Sequence, residues 1–347
     1  MRELKQQLTE LDILWVGSAG GMEQALVKRA GLTFEAISAG GLRGKNLMAF
    51  LRGLWALSQG YRQSLQVIER YQPDILLATG GYVCAPVTLA ARRSGLPVLI
   101  YLPDIEPGLA IKFLARFANR VAVTVPEAQQ FFRPGLTVVT GYPVRPALVT
   151  TFGSGKAAAR LKLGLTERLP VLLVFGGSQG ARSINRSLTD RLEDYLEVSQ
   201  IIHVTGVLDE AWVQAKKSKL PQNLQARYHV AAYLHNEMVA ALVAADLVVS
   251  RAGASTLGEF PAVGLPAIVV PYPYAGAHQA LNANYLVQHQ AAIIVENADL
   301  EHRLKDTVIN LITDQEKLQA MSQACRNLAQ PDAAARLAKE IISLHNG

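Results

Sequence analysis

The chain is poor in the residues that carry disulfide or metal chemistry. It has only two cysteines, Cys84 and Cys325, among 347 residues, with no CxxC pair and no His/Cys cluster at the spacing of a metal site. Two isolated cysteines argue against a disulfide framework and fit a reducing compartment. We therefore expect neither a bound metal nor a cofactor.

Long apolar runs are also absent. None reaches the roughly 18 residues that a membrane span requires, and the charged first residues lack the apolar core of a signal peptide. The sequence therefore predicts a protein of the cytosol.

The charge balance is moderate and the apolar content is high. The 34 basic and 28 acidic residues leave a net charge of +6, and 50% of the residues are hydrophobic, enough for two buried cores. No basic run is interleaved with aromatic residues in a strand or loop pattern, so we expect no nucleic-acid partner. In residues 42–70, basic side chains alternate with apolar ones. That pattern is typical of a helix on an anionic membrane surface, and equally of a solvated helix face above a core stripe.

Short apolar runs of strand length alternate with helical patterns along the whole chain. They lie at residues 13–16, 34–37, 75–78, 98–102, 121–125, 138–139, 171–175, 201–204, 228–233, 247–249, 267–270 and 293–295. Continuous apolar strands alternating with helices are typical of parallel sheets covered on both faces. The sequence therefore predicts an α/β fold of two tandem, Rossmann-like, doubly wound domains, joined near residues 141–146, where two prolines interrupt both helix and strand.

Glycine-rich or polar turns follow several predicted strands. They include Gly80-Gly81-Tyr82, Asp104-Ile-Glu106, Gly176-Gly-Ser-Gln-Gly-Ala181 and the segment from His278 to Asn282. Ligands of parallel sheets collect at the carboxyl ends of the strands, where these turns lie. We therefore expect a site between the two domains, walled by both sets of turns.

The stretch from Ser250 to Glu259, Ser-Arg-Ala-Gly-Ala-Ser-Thr-Leu-Gly-Glu, carries the most chemistry. It follows an apolar strand and predicts the start of a helix, whose first N–H groups lack partners and attract phosphate without a metal. Glu259 lies about one turn, roughly 5 Å, further on, where a ribose joined to those phosphates offers its hydroxyls. A plain strand-to-helix turn, capped by Ser255 or Thr256 and with Glu259 in solvent, explains the same residues.

Taken in order, these motifs resemble the nucleotide-sugar half of the MurG family, and the resemblance extends through residues 38–45, 80–83, 108–115 and 141–145 to nearly the whole chain. Members are GT-B enzymes that transfer N-acetylglucosamine from UDP-N-acetylglucosamine to lipid I, the undecaprenyl-linked peptidoglycan precursor, with inversion at the anomeric centre. The resemblance implies the same activity here, giving lipid II for the cell wall and so supporting cell shape and division. It also implies a peripheral enzyme on the cytoplasmic face of the plasma membrane, in contact with anionic lipid.

The resemblance also assigns individual residues. Donor-binding positions are Arg145, Ser178, Leu234, Ala254, Ser255, Thr256, Leu257, Gly258, Glu259 and Gln279, and acceptor-side positions are Gly80, Gly81 and Tyr82. Within that set Leu234 offers backbone groups to uracil, Glu259 binds the ribose and Gln279 bonds to the sugar. The expected domains are 1–143 for the lipid acceptor, 144–330 for the UDP-sugar, and 331–347 as a helix packing back on the first domain.

Two departures from the family pattern stand out. Members open with a strand and a Gly-Gly-Thr-Gly-Gly-His-like loop, whereas this chain begins in what resembles the following helix, with Leu4, Leu8 and Leu11 on one face. We therefore expect the first strand of the N-terminal domain to be missing and the natural protein to start some twenty residues upstream. The family's His-Glu-Gln-Asn loop is here Tyr101-Leu-Pro-Asp104. Asp104 is the candidate catalytic base, with helix capping or donor binding as alternatives.

Two further functions stay open. The altered loop at Asp104 allows a related GT-B enzyme that glycosylates another lipid or polyprenyl acceptor. A UDP-sugar-binding protein without transferase activity is the other alternative. A dehydrogenase is not expected, because neither half has a first-turn GxGxxG followed about twenty residues later by a ribose-binding acid.

Overall fold

The computed structural model describes residues 1–19, 23–40, 47–150, 155–166, 168–177, 180–273 and 278–346. The chain divides into two compact units. Unit 1 comprises Met1–Gly141 and Asp332–Gly347, and unit 2 comprises Tyr142–Pro331.

Unit 1 is built from parallel strands and the helices that connect them. Its first 141 residues contain helices α1 (Arg2–Gln7), α2 (Glu23–Arg29), α3 (Leu47–Tyr71), α4 (Cys84–Arg93) and α5 (Leu109–Leu114), and strands β1 (Leu14–Ser18), β2 (Thr33–Ile37), β3 (Leu76–Ala78), β4 (Val98–Leu102), β5 (Arg120–Val123) and β6 (Thr137–Val139). Strand β1 pairs with β2, and the remaining strands form a second parallel sheet in the order β3-β4-β5-β6.

The sheet of unit 1 is interrupted between β1 and β3. Among the described residues, β1 pairs only with β2, and β3 pairs only with β4. In the strand order of a doubly wound sheet this is the central position. Both sheets nevertheless border one apolar cluster, in which Leu14 and Val16 of β1 and Leu76 of β3 pack around Val67 and Val87.

Unit 2 contains one uninterrupted parallel sheet. Its strands are β7 (Val171–Phe175), β8 (Gln200–Val204), β9 (Tyr228–Ala231), β10 (Leu247–Ser250), β11 (Ala267–Val269) and β12 (Ala292–Ile294). Their order is β12-β11-β10-β7-β8-β9, which is the 3-2-1-4-5-6 arrangement of a Rossmann sheet. Every predicted strand is present in the two units with its ends within two residues of the prediction. The predicted α/β class of tandem parallel-sheet units is confirmed.

The helices of unit 2 cover both faces of this sheet, as continuous apolar strands require. They are α6 (Pro146–Thr150), α7 (Lys156–Lys162), α8 (Arg182–Thr189), α9 (Leu192–Val198), α10 (Glu210–Lys217), α11 (Gln222–Gln225), α12 (Glu237–Ala244), α13 (Thr256–Val263), α14 (His278–Gln288), α15 (Leu300–Thr313) and α16 (Gln315–Asn327). All four residues of β10 are buried, and so is the whole of β8. The loops that follow these strands therefore start from fixed positions.

The last helix, α17 (Ala333–His345), belongs to unit 1. Its Ala338 and Ile341 share an apolar cluster with Leu4 of α1 and with Leu99 of β4. Leu8 and Leu11 pack against the same cluster, although α1 itself ends at Gln7. An ion pair of 2.8 Å between Arg120 and Glu340 fixes α17 beside β5.

Candidate functional site

The turn after β10 supplies the backbone donors of the candidate site. Helix α13 begins at Thr256, inside the stretch from Ser250 to Glu259 in which the sequence predicts a helix start. The amides of residues 256–258 donate to carbonyls three residues earlier, at 3.0 to 3.1 Å, so they are already paired. The Thr256 hydroxyl donates to the Gly253 carbonyl at 2.7 Å, and the Ser255 side chain makes no capping bond. The alternative in which one of these side chains caps the helix is therefore wrong.

The unpaired amides lie in the turn that precedes the helix. Those of Gly253, Ala254 and Ser255 donate to no acceptor in the part of the chain that the structure describes. The positive end of the α13 dipole lies directly behind them. The turn 253–255 therefore presents three consecutive N–H groups in an electropositive position, which is the arrangement that binds phosphate oxygens.

Glu259 is not in solvent, contrary to the alternative weighed from the sequence. Its side chain is only 13% exposed, and its Oε1 lies 3.6 Å from Nε of Arg145, the residue just before α6. Burial raises the pKa of Glu259, while the positive charge of Arg145 acts in the opposite direction. The other carboxylate oxygen has no hydrogen-bond partner among the described residues. Glu259 thus presents an acceptor one helical turn beyond the open amides.

Gly258 lets Tyr142, the first residue of unit 2, pack directly on α13. A Cβ atom at this position would lie 2.6 to 2.9 Å from three atoms of Tyr142. Only glycine allows this approach without displacing the ring, since contacts below 3.0 Å are not tolerated. Tyr142 and Arg145 are therefore both held against the first turn of α13.

Arg251 connects the loops that follow four neighbouring strands. Its Nη1 donates to the carbonyls of Val270 and Pro271, at 3.1 and 3.3 Å, after β11. Its Nη2 donates to Ser183 of α8 at 2.8 Å and to Oδ1 of Asn297 at 2.9 Å, in the 3-10 turn after β12. Sequence reasoning gave Arg251 no role. The available signal was its place directly after a fully buried strand, where a guanidinium must find several acceptors.

The loop after β11 leads to the predicted sugar-binding residue. The Tyr272 ring lies under the Arg251 guanidinium, 5.3 Å from its centre, and the Tyr272 amide donates to Oε1 of Gln279 at 2.9 Å. Fully buried Asn282 of the same helix α14 donates to the Ala252 carbonyl at 3.1 Å. Helix α14 is thereby attached to both loops of the site.

The glycine-rich turn after β7 begins where the sequence places it. A Cβ atom on Gly176 would lie 2.1 Å from the Ala181 nitrogen, so the chain can fold back on itself only with glycine there. Gly180 closes the turn through its amide, which donates to the Gly177 carbonyl at 3.0 Å. The predicted donor-binding residue Ser178 lies outside the described residues. Helix α8 starts directly after this turn.

A buried polar network behind the site was not predicted. His203 of β8 accepts a bond of 2.7 Å from the Tyr228 hydroxyl at Nδ1 and lies 2.9 Å from Asn185 Oδ1 at Nε2. The Asn185 amide donates to Asp209 at 2.9 Å and to the Thr205 carbonyl at 2.8 Å. Burial lowers the pKa of His203 to about 3, so the ring is neutral and structural. The network fixes α8 against the loop after β8.

The remaining predicted residues lie in two other loops. Leu234 is half-buried between β9 and α12 in unit 2. In unit 1, Gly80 and Gly81 follow β3 and precede the exposed Tyr82, while half-buried Asp104 follows β4. Within unit 2, the structure brings together Arg145, Glu259 and the turn 253–255.

The described residues contain neither a cluster of metal ligands nor a membrane-spanning helix. No group of three or more His, Cys, Asp or Glu side chains there is placed to hold a metal ion. None of the helices in that part of the chain has the length and apolar character needed to cross a bilayer.

Comparison with known proteins gives a consistent set of relatives. Residues 1–123 match the glycosyltransferase family 28 N-terminal domain, and residues 171–337 match the glycosyltransferase family 28 C-terminal domain. A protein of Roseiflexus sp. is 44% identical over 95% of this chain and 83% of its own length. A protein of Desulforamulus reducens is 36% identical over 97% of this chain and 92% of its own length. Both are named UDP-N-acetylglucosamine--N-acetylmuramyl-(pentapeptide) pyrophosphoryl-undecaprenol N-acetylglucosamine transferase.

A solved structure agrees with these relatives. The crystal structure of MurG from Acinetobacter baumannii is similar with a TM-score of 0.75 and 26% identity, over 99% of this chain and 94% of that one.

Proposed function

Because this chain belongs to the MurG family of glycosyltransferase family 28, we propose that the site on unit 2 binds the donor of that family's reaction. The protein is a UDP-N-acetylglucosamine-dependent N-acetylglucosaminyltransferase. It transfers N-acetylglucosamine to lipid I and forms lipid II for peptidoglycan synthesis. One observation carries the placement of the donor: three open amides lie one helical turn before a shielded carboxylate.

The donor fits this arrangement group by group. The diphosphate accepts from the amides of the turn 253–255, and the ribose hydroxyls donate to Glu259. Arg145, within 3.6 Å of Glu259, adds a positive charge beside the phosphates. Leu234 lies in the loop proposed to hold uracil, and Ser178 completes the donor-binding set. Since UDP leaves with a growing negative charge, fixed N–H dipoles and Arg145 stabilise it as the bond breaks.

The acceptor side belongs to unit 1. We place the lipid acceptor at the loop formed by Gly80, Gly81 and Tyr82, and the catalytic base at Asp104. The MurNAc 4-hydroxyl gives its proton to the base, and its oxygen forms the new bond to the anomeric carbon. The bond to UDP breaks from the opposite face, and its electron pair leaves with UDP, so the configuration inverts.

An amide substitution tests Asp104 as the base. Asp104→Asn should lower turnover about 100-fold or more, because general-base catalysis contributes at least that factor, while UDP affinity stays unchanged. Glu106→Gln is the matched control in the same loop, where Glu106 lies 3.2 Å from Lys112 and is already paired. Unchanged turnover in Asp104→Asn would remove this residue from the mechanism.

We also place the enzyme at the cytoplasmic face of the membrane, as a peripheral protein bound to anionic lipid. On α3, Met48, Leu51, Arg52 and Trp55 follow helical spacing and share one face. Met48 is 61% and Trp55 65% exposed, so this face is not a core stripe. Part of the predicted basic segment, residues 42–46, lies outside the described residues. An exposed apolar face with an aromatic and a basic side chain suits the interface of a bilayer.

A second exposed surface of unit 1 supports this placement. Leu109 and Phe113 of α5 are exposed, and beside them lies a pocket of about 210 Å³. Lys112, Arg116 and Arg133 contribute to its lining and give it positive charge. Apolar side chains next to cations favour contact with a membrane, because its interior is apolar and its headgroups are anionic.

Sedimentation with vesicles tests the membrane placement. Trp55→Ser should reduce binding to vesicles that contain phosphatidylglycerol, without changing transfer to an acceptor presented in detergent. Leu161→Ser is the matched control, because Leu161 is 82% exposed but lies on α7 of unit 2. If both variants lose binding equally, or if neither variant loses binding, the assignment of this face is contradicted.

The reaction itself is tested by transfer of radiolabelled N-acetylglucosamine. We expect incorporation into lipid I and not into diacylglycerol, which stands for another lipid acceptor. The altered loop at Asp104 is the observation that favours such an alternative. Transfer to diacylglycerol alone would establish the alternative, and UDP-sugar binding without any transfer would indicate a binding protein.

A further inference from the structure

We propose that Arg251 is a positioning residue that sets the affinity of the site for the sugar of the donor, acting through Tyr272 on Gln279. This inference rests on the proposed donor site. It assigns to Arg251 a role separate from the binding of the nucleotide.

Arg251 fixes the loop after β11 through hydrogen bonds and a ring contact. Its Nη1 donates to the two carbonyls that directly precede Tyr272, those of Val270 and Pro271. The guanidinium also lies over the Tyr272 ring, 5.3 Å from its centre. Backbone and ring are thus held by the same charged group, so Tyr272 is fixed in both position and orientation.

The Tyr272 backbone in turn orients the side-chain amide of Gln279. The Tyr272 N–H donates to Gln279 Oε1 at 2.9 Å. A backbone N–H can only donate, so the oxygen of the Gln279 side chain must face it. The Gln279 Nε2 then points away from the loop, and it has no partner among the described residues. Gln279 therefore offers an N–H donor, in a fixed direction, to an oxygen of the sugar.

The second terminal nitrogen of Arg251, Nη2, anchors the guanidinium to Ser183 and Asn297. Nη2 donates to Ser183 and Asn297, and the Ser183 hydroxyl donates to the same Asn297 oxygen at 2.8 Å. Four of the five N–H groups of Arg251 are therefore used. A lysine has one nitrogen and cannot reach acceptors on both sides, so it cannot replace this planar fork.

The diphosphate turn has an anchor of its own. Fully buried Asn282 donates to the Ala252 carbonyl, directly before the turn 253–255. This bond does not pass through Arg251 or Tyr272. A change at Arg251 should therefore disturb contacts to the sugar far more than contacts to UDP.

Calorimetry with UDP and with UDP-N-acetylglucosamine separates the two effects. Arg251→Lys and Tyr272→Leu should each weaken UDP-N-acetylglucosamine binding about three- to tenfold relative to UDP, the range expected for one hydrogen bond. KM for the donor should rise by a similar factor, with a smaller change in kcat. A residue that only stabilised the fold would shift both affinities together with the melting temperature.

Arg160→Lys is the matched control. Arg160 pairs with Asp246 and donates to the Ala244 carbonyl at 3.2 Å, at the amino end of β10, whereas Arg251 lies beyond its carboxyl end. This variant should lower the melting temperature without changing the ratio of the two affinities. If Arg251→Lys fails to fold, Tyr272→Leu decides the question.

Two results would overturn the inference. One is an unchanged ratio of affinities in Tyr272→Leu, and the other is a parallel loss of UDP binding in Arg251→Lys. Failure of the proposed donor site gives a different result, because the unmodified protein would then bind neither compound. The two failures are therefore distinguishable in one set of titrations.

Discussion

Replacing Glu259 by glutamine should weaken UDP binding and at the same time stabilise the fold. The Glu259 side chain is 13% exposed, and one of its carboxylate oxygens lies 3.6 Å from Arg145. Burying this charge costs desolvation free energy. In the proposed complex the carboxylate accepts from ribose hydroxyls. Bonds to a charged acceptor contribute about 1.5–3 kcal/mol, against about 0.5–1.5 kcal/mol for neutral ones. The substitution should therefore cost about 1–2 kcal/mol, or roughly 5- to 30-fold in the dissociation constant of UDP.

The stability effect has a definite sign and pH dependence. Because burial raises the pKa of Glu259 above 4.5, the folded chain holds this proton more tightly than the unfolded chain does. The contribution of Glu259 to stability is therefore fully present below about pH 4.5 and is lost as the pH rises through the raised pKa. Glu259→Gln removes that loss, so its melting temperature should exceed that of the unmodified protein at neutral pH and approach it in acid.

The assays are calorimetry with UDP and thermal unfolding, each at several pH values. UDP affinity of the unmodified protein should fall as Glu259 takes up its proton, while that of Glu259→Gln stays flat. Glu316→Gln is the matched control, since Glu316 also lies in the first turn of a helix of unit 2 but is exposed. Unchanged UDP affinity together with a lower melting temperature in Glu259→Gln would refute the reasoning.

Three further outcomes are expected. Gly258→Ala should destabilise unit 2 by about 1–3 kcal/mol in urea unfolding, since the new Cβ meets Tyr142 at 2.6 Å; an unchanged midpoint would contradict this contact. Burial lowers the pKa of His203 from 6.5 to about 3, so the free energy of unfolding should fall as the pH drops below 6.5. In urea titrations from neutral pH to about pH 5, His203→Gln should show a shallower fall of this free energy. Equal slopes in the two proteins would count against a buried neutral ring. Chelation with EDTA should leave turnover unchanged, because the proposed donor site takes its positive potential from the amides of the turn 253–255 and from Arg145; restoration by Mg²⁺ alone would show otherwise.

The strands could be predicted because a strand covered on both faces must be apolar throughout. Val171–Phe175 and Leu247–Ser250 show this directly, and the parallel direction of the strands then follows from the alternation with helices. The turns after these strands could also be located, since a glycine such as Gly176 marks a place where a side chain does not fit.

Contacts through space could not be predicted from the pattern. The sequence places open amides at the start of this helix, but it does not show that bonds between residues three apart occupy those of residues 256–258. Glu259 has the same spacing whether it is solvated or buried, and its burial beside Arg145 is a contact that the spacing does not show. Arg251 and His203 find their partners on other strands and helices, at 68 and 18 residues' separation for Ser183 and Asn185.

The interruption between β1 and β3 also determines where unit 1 opens first. Among the described residues β1 and β2 pair only with each other, and a two-stranded sheet is marginally stable in water by itself. Local unfolding therefore costs less in this pair than in the six-stranded sheet of unit 2. Deuterium should enter the amides of β1 and β2 early, and a protease should cleave there while unit 2 stays intact.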